Sequence, residues 1–177
     1  MIIINYNAIP DHLRQATAAS FPANSWEWWH RYANGKLATV DPSRIPTACT
    51  VALHSLAANV RPVSGFYDFD FYGAGLHLMP AGTALGRHLD ATHHPGKPWR
   101  RVASLVYFLE DCDGGELVIG SERVMPLAGT AVMFAANQWH EVLTTNQDRR
   151  TLSLFAWEID HGAKENTSAY FERQADQ

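Results

Sequence analysis

The chain has 177 residues, a hydrophobic content of 46% and a formal net charge of −4, which together predict one globular domain with a sizeable core. Its acidic balance argues against a surface that binds nucleic acid or an anionic membrane. The two cysteines, Cys49 and Cys112, are far apart and lack metal-binding spacing, so we expect reduced thiols in a cytoplasmic protein. The first residues have neither a basic segment nor a long apolar run, and we expect no signal peptide or membrane span.

The N-terminal part predicts one short strand and two helices. Ile2–Ile4 is β-branched and favours a strand. Runs rich in good helix formers predict helices over 12–20 and 45–59. Between them lies the aromatic cluster Trp26–Trp29. Its rings either pack as a lid over the core or form a wall that binds a substrate, and the sequence leaves both interpretations open.

From about residue 66 the pattern changes to short apolar runs separated by Gly- and Pro-rich turns, which predicts a series of strands. The predicted strands are 75–79, 86–90, 102–109, 116–119, 131–134, 140–144 and 151–157. Many short strands after two helices predict a mainly β, α+β chain with a sandwich or barrel core over about 66–160. The helical layer, over about 10–60, is expected to cover the outer face of one sheet within a single domain, 1–177.

His88 and Asp90 are candidate metal ligands, because residues two apart on a strand point to the same face. An imidazole nitrogen and a carboxylate oxygen suit Fe(II) and Mn(II) better than metals that prefer thiolates. His140, about fifty residues later, heads another predicted strand and supplies a second imidazole. Two histidines and one carboxylate on one face form a facial triad, as in non-haem iron oxygenases, which leaves three octahedral positions open. The His-x-Asp spacing alone is a weak signal.

The strand predicted after this second histidine carries a candidate anion-binding residue. We expect it to form a hairpin with the strand that begins at His140. Its period of two places Arg149, Thr151 and Ser153 on one face and Arg150 on the other. A guanidinium in one row with two hydroxyls suits a bidentate contact with a carboxylate ligand. The plainer alternative is a surface arginine on an edge strand.

The order and spacing of these motifs resemble the 2-oxoglutarate and Fe(II)-dependent oxygenases, specifically the prolyl 4-hydroxylase-like family. The resemblance covers about 75–157, close to half of the chain. Its motifs are His88-Leu89-Asp90, Arg101 to Leu109, Gly114 to Leu117, Pro126 to Phe134, His140 to Val142 and Arg149 to Ser153. The fold that the resemblance implies is a double-stranded β-helix, a distorted jelly roll with the iron at its open end.

By this resemblance His88, Asp90 and His140 are the iron ligands. Arg149 is the residue that pairs with the distal carboxylate of 2-oxoglutarate, and Arg150 is the alternative. We prefer Arg149 because of the strand alternation described above.

The same resemblance implies which residues surround the co-substrate. Ser153 and Ser104 are expected to contribute hydroxyls to the pocket, and Val106, Leu117 and Val142 to line it.

The chain departs from the family pattern at two positions near this pocket. Phe108 and Met79 stand where relatives often carry tyrosines that contact the co-substrate. Their replacement leaves the distal carboxylate with fewer hydrogen-bond donors, and His77, Tyr107 and Thr83 are the candidates to compensate.

The implied activity is hydroxylation of an unactivated C–H bond with Fe(II), 2-oxoglutarate and O₂, releasing succinate and CO₂, with ascorbate as a further candidate cofactor. The expected substrate is a peptidyl-proline, an amino acid or another small molecule, and Trp99 and Arg100 are expected to border the site's mouth. One alternative is a cupin-type metal-dependent enzyme, which has no need for Arg149. Another is a binding module that does not use 2-oxoglutarate, in which His88 and Asp90 merely pair with each other.

Overall fold

Two helices precede most of the strands, and each begins directly after a proline. The computed structural model describes residues 1–22, 26–29, 37–40, 44–68, 74–94 and 96–162, with side chains for all but 26–29 and 37–40. The helices are α1, Asp11–Ala19, and α2, Thr47–Asn59. Pro10 and Pro46 have φ of −55° and −59° with extended ψ, so the helical conformation starts at the next residue. Both predicted helices are confirmed, with ends that differ by one or two residues.

The described residues form twelve strands. They are β1 Ile2–Asn5, β2 Trp26–Trp29, β3 Leu37–Val40, β4 Phe66–Tyr67, β5 Gly75–Met79, β6 Leu85–His88, β7 Trp99–Phe108, β8 Leu117–Ile119, β9 Glu122–Val124, β10 Ala131–Ala135, β11 His140–Val142 and β12 Arg149–Ile159. Seven of them correspond to the strands predicted after residue 66, and the strand predicted at the N-terminus is β1. The short β4 and β9 were not predicted, and neither were β2 and β3.

These strands pair into two antiparallel sheets. The major sheet has the order β1-β10-β7-β12-β5-β3-β2, with β4 also paired to β12, and the minor sheet has the order β6-β11-β8-β9. A mainly β chain with two helices confirms the predicted class. No helix in the described residues is both long enough and apolar enough to cross a membrane.

The predicted hairpin between β11 and β12 is wrong. β11 lies between β6 and β8 in the minor sheet, whereas β12 lies between β7 and β5 in the major sheet. The connection between them therefore passes from one sheet to the other. His140 and Arg149, which start these two strands, consequently belong to different sheets.

The tryptophan cluster lies in a strand that pattern analysis did not predict. β2, Trp26–Trp29, pairs with β3 at one edge of the major sheet. The side chains of this cluster lie outside the described part of the structure, so its lid or wall role stays a prediction.

Side chains alternate along β7 and face two apolar layers, as the period of two along a strand predicts. Leu105 and Tyr107 pack with α1 and α2 in the layer between the major sheet and the helices. Val106 and Phe108 face the layer between the two sheets. The helices thus cover one sheet's outer face, as predicted, and the interior between the sheets is left for a site. Cys49 is buried among the helix-side residues and, like Cys112, is a free thiol.

Candidate metal centre and anion site

The structure brings together the three residues predicted as metal ligands. His88 ends β6 and His140 begins β11, and the two are direct register partners, so their rings lie on the same side, with centroids 4.1 Å apart. Asp90 lies just beyond β6, where its backbone N–H donates to the carbonyl of Ala136 over 3.0 Å. The potential ligand atoms of the three residues all lie within 4.8 Å of one another.

Backbone carbonyls orient both imidazoles. Nδ1 of His88 lies 2.7 Å from the oxygen of Gly86, and Nδ1 of His140 lies 3.0 Å from the oxygen of Gln138. A carbonyl only accepts hydrogen bonds, so each Nδ1 carries a proton, and Nε2 is the ring nitrogen left for a metal ion. Nε2 of His88 lies 3.7 Å and Nε2 of His140 lies 3.3 Å from the nearest oxygen of Asp90. The first distance is too long for a hydrogen bond, which disfavours a simple His88–Asp90 pair.

The carboxylate of Asp90 is held from strand β7. The hydroxyl of Ser104 donates to its Oδ2 over 2.6 Å, and Nη1 of Arg101 lies 4.0 Å from its Oδ1. Burial raises the pKa of Asp90, but hydrogen bonding and charge from His140, with Ser104 and Arg101, lower it to about 2. The structure gives the Ser104 hydroxyl a contact with the predicted metal ligand Asp90, and its expected role towards the co-substrate stays a prediction.

The protonation states of the cluster suit a divalent cation. Burial, together with the nearby charge of His140, lowers the pKa of His88, against opposing contributions from Gly86 and Asp90. An ionised carboxylate and imidazoles with free Nε2 atoms are the forms that bind a metal. Two nitrogens and one oxygen on one face match the donor set that Fe(II) and Mn(II) accept, so the residues fit the ion that the resemblance implies.

Arg101 is a site residue that sequence reasoning missed. Counting by twos from Ser104 places it on the opposite, helix-facing side of β7. The register between β7 and β12 shifts there: Ala103 pairs with Ala156, and Arg101 pairs with Trp157. The extra residue turns Arg101 towards Asp90, and its Nη1 donates to the Asp90 backbone carbonyl over 3.3 Å. Its guanidinium carbon lies 3.4 Å from the centroid of the Phe155 ring.

Arg149 is buried in the interior, contrary to the surface alternative. It is only 4% exposed, its Nε–H donates to the carbonyl of Gly115 over 3.0 Å, and its guanidinium carbon lies 5.0 Å from the centre of the Phe108 ring. Its Nη2 has no hydrogen-bond partner among the described residues. Burial lowers the pKa of Arg149 to about 10, partly opposed by Cys112. A buried cation with an unused donor is suited to an anionic ligand.

Two adjacent glycines, Gly114 and Gly115, leave space for the side chain of Arg149. Gly115 has a φ of +68°, and a Cβ there would lie 2.9 Å from Cδ of Arg149. Gly114, with a φ of +69°, would place a Cβ 2.5 Å from the carbonyl oxygen of Thr144. Both positions therefore need glycine, because the backbone has a positive φ and because a side chain would overlap with its neighbours.

Arg150 lies on the other face of β12. Its guanidinium pairs with the carboxylate of Glu110 and contacts the carbonyl of Ala18 at the end of α1. Leu152 packs in the same helix-side layer. The predicted alternation of β12 is therefore observed, and Arg150 points away from the space between the sheets.

The residues proposed to compensate for the missing tyrosines lie in different places. Tyr107 is fully buried in the helix-side layer, so it cannot reach the interior between the sheets, and that suggestion is wrong. Thr83 donates to the carbonyl of Pro80 over 2.6 Å. His77 is placed on the face of the major sheet that points towards the minor sheet. There its Nδ1 lies 3.0 Å from the hydroxyl of Ser153.

The two residues expected at the mouth make their contacts elsewhere. Trp99 packs against the helix-side layer, edge-on to Phe66 at 4.9 Å. Arg100 forms an ion pair with Glu158. The structure does not bring either side chain to the metal-ligand cluster, and a substrate role for them stays a prediction.

The comparisons with known proteins agree with this geometry. Residues 74–157 match the family model of the 2OG-Fe(II) oxygenase superfamily. Over these residues, just under half of its length, the chain is similar to that superfamily. The resemblance noted in the sequence is thereby confirmed, and the matched segment contains the three candidate ligands and Arg149.

Relatives and solved structures extend the similarity. The chain is 31% identical over 116 residues to a PKHD-type hydroxylase of Saccharophagus degradans, covering 59% of this chain and 51% of that protein. It is 33% identical over 98 residues to a PKHD-type hydroxylase of Caulobacter sp., covering 49% and 40%. The chain thus spans about half the length of the curated relatives it matches, or less.

Two solved structures share the fold. A Pseudomonas putida prolyl-4-hydroxylase has a TM-score of 0.63 at 24% identity, with 88% of this chain and 91% of that chain covered. A prolyl hydroxylase from Trichoplax adhaerens, solved with a hypoxia inducible factor peptide fragment, has a TM-score of 0.67 at 15% identity, with 93% and 87% covered.

Proposed function

We propose that this protein is an Fe(II)- and 2-oxoglutarate-dependent dioxygenase with a double-stranded β-helix core. It hydroxylates an unactivated C–H bond and releases succinate and CO₂. The observation that carries the proposal is Arg149: a buried cation whose Nη2 has no partner among the described residues, in the same interior as the His88, Asp90 and His140 cluster. A metal-binding protein without an acidic co-substrate gains nothing from burying such a charge.

The three ligands have separate tasks in this proposal. His88 and His140 would hold the metal through Nε2, since Gly86 and Gln138 occupy their Nδ1 protons. Asp90 would supply the anionic ligand, kept ionised and oriented by Ser104. When bound with 2-oxoglutarate, Fe(II) supplies the activation of O₂ that the hydroxylation needs.

The rest of the pocket would bind and orient the co-substrate. Arg149 would pair with its distal carboxylate through the unused Nη2, which compensates for the cost of burying both charges. Apolar side chains of both sheets, Val106, Leu117 and Val142 among them, line the interior. They exclude water and so strengthen the ion pair.

The substrate class is proposed from the relatives. Their names describe PKHD-type hydroxylases and prolyl hydroxylases, and one solved neighbour holds a peptide fragment. A peptidyl-proline is therefore the first substrate to test, followed by free amino acids and other small molecules. Ascorbate is included in the assay as a candidate cofactor.

The test separates metal binding from co-substrate use. Protein reconstituted anaerobically with Fe(II) is analysed for bound metal, and succinate is measured with 2-oxoglutarate and O₂ against a panel of proline peptides and amino acids. His140→Ala should lose both metal and succinate formation. The matched control is His93→Ala, because His93 is exposed and pairs with Asp160, and it should lose neither.

Two results would overturn the proposal. Bound metal without any 2-oxoglutarate-dependent succinate would indicate the cupin-type alternative. Protein that takes up no metal would indicate a binding module.

A further inference from the structure

A histidine and a serine form a polar pair on the inner face of the major sheet. Ser153 on β12 is 3% exposed, and its Oγ lies 3.0 Å from Nδ1 of His77 on β5. The inward-facing neighbours include the apolar Val106 and Met79 and the polar Thr151. The Ser153 hydroxyl is buried and His77 is partly exposed, and the contact between them satisfies the hydroxyl in the absence of a ligand.

Strand register places the pair between the two ends of the site. On β12, Phe155 is the partner of Ser104, the residue that donates to Asp90. At the other end of the same face, Arg149 begins β12 and is the partner of Met79. Ser153 lies between these ends, so a ligand that joins the metal cluster to Arg149 passes beside its hydroxyl.

The direction of the hydrogen bond decides what Ser153 can do. If its hydroxyl donates to Nδ1, its proton is used and it can only accept from a ligand. If Nδ1–H of His77 donates to Oγ, the hydroxyl proton is free to be donated. An anionic ligand accepts hydrogen bonds, so only the second arrangement binds it. The backbone of His77 pairs with Thr151 on one side and with Thr39 on the other. These two pairings fix the backbone of β5 at His77.

We propose that His77 is a positioning residue that donates from Nδ1 to Ser153 and thereby turns the Ser153 hydroxyl proton towards a carboxylate oxygen of the bound 2-oxo acid. This inference rests on the proposed function, because it assumes that a 2-oxo dicarboxylate occupies the interior. In this arrangement His77 on β5 makes the Ser153 hydroxyl available as a donor to the co-substrate, whereas Met79 on the same strand has no donor to offer.

The test uses two side chains that imitate different atoms of histidine. The amide nitrogen of asparagine can take the place of Nδ1, whereas that of glutamine reaches further, towards the position of Nε2. The affinity for 2-oxoglutarate is measured by calorimetry on Mn(II)-loaded protein, and KM and kcat are measured with Fe(II). His77→Leu should weaken binding about tenfold, the effect of one hydrogen bond to a charged group. His77→Asn should restore most of the affinity, and His77→Gln should not.

A double-mutant cycle shows whether the effect passes through the serine. In a Ser153→Ala background, His77→Leu should cause no further loss, because the group it positions is already absent. His54→Leu, on the exposed side of α2, is the matched control and should leave the affinity unchanged. Thermal unfolding of each variant checks that it is folded, and the His77→Asn and His77→Gln comparison remains decisive if His77→Leu does not fold.

The outcomes distinguish this inference from the proposed function. If the wild type binds 2-oxoglutarate and His77→Leu binds it equally well, the role of His77 is refuted while the proposed function stands. Additive losses in the cycle refute it as well, since they show that His77 acts independently of Ser153. A wild type that does not bind 2-oxoglutarate refutes both.

Discussion

Replacing Arg149 with methionine tests the anion site most directly. Methionine keeps much of the length of the side chain and removes its charge. The change deletes the hydrogen bond to the carbonyl of Gly115 and the contact with the Phe108 ring. It also deletes Nη2, the donor that has no partner among the described residues.

The structure predicts opposite consequences for folding and for binding. Burial lowers the pKa of Arg149 to about 10, well below its usual range, so keeping it charged costs the folded protein about 3 kcal/mol. For a cation this cost applies in full at every pH below about 10 and is lost only as the pH rises above that value towards the pKa of the unfolded chain. Removing the charge relieves the cost but leaves the Gly115 carbonyl without its donor, a loss of about 1–3 kcal/mol. We therefore expect the free energy of unfolding of the ligand-free protein to change little.

The affinity for 2-oxoglutarate should fall strongly in the same variant. Truncating one partner of a buried, hydrogen-bonded charge pair costs about 2–5 kcal/mol, which weakens binding by about 30-fold or more. Calorimetric titration of 2-oxoglutarate into Mn(II)-loaded protein measures this loss, and chemical denaturation of the ligand-free protein measures stability.

Arg150→Met is the matched control on the same strand. Arg150 faces the helices and pairs with Glu110, and such a partly exposed ion pair contributes up to about 1 kcal/mol. This variant should bind 2-oxoglutarate normally. Retained affinity in Arg149→Met, or a comparable loss in Arg150→Met, would show that the anion site has been assigned to the wrong residue.

Two further substitutions test the supports of the site. Ser104→Ala removes the hydroxyl that donates to Asp90 over 2.6 Å and should weaken Mn(II) binding by about 10- to 100-fold; unchanged affinity in a metal titration would show that this contact does not matter. Gly115→Ala places a Cβ 2.9 Å from Cδ of Arg149 at a φ of +68°, so it should reduce stability by at least about 1–2 kcal/mol and weaken 2-oxoglutarate binding. Gly120→Ala is its control, because Gly120 has a φ of +61° with no atom within 4 Å of the added Cβ. It should share the backbone cost and bind 2-oxoglutarate normally, and equal binding losses in both variants would contradict the proposed contact.

The features predicted well are those that neighbouring residues determine together. The period of two along β12 separates Arg149 from Arg150, and the structure shows the same separation. The alternation of β7 places Tyr107 towards the helices and Phe108 towards the interior. Both follow from the pleat of a strand, in which successive side chains must point to opposite faces.

The features that were predicted wrongly or missed depend on partners distant in sequence. The hairpin between β11 and β12 has a suitable turn, yet the two strands join different sheets. Arg101 points towards Asp90 because the register with β12 shifts at Ala156 and Trp157, and no local pattern announces such a shift. The space that Gly115 leaves for Arg149 likewise involves residues far apart in the chain.

By itself, the sequence determined most of the strands, the faces of their side chains and the chemical types of the candidate ligands, because these depend on local periodicity and composition. Only the tertiary structure decided that His140 pairs in register with His88, that Ser104 holds Asp90 and that Arg149 is enclosed with an unused donor. These are long-range relationships. They arise when two sheets pack to bury their apolar faces, a free-energy balance to which the whole chain contributes.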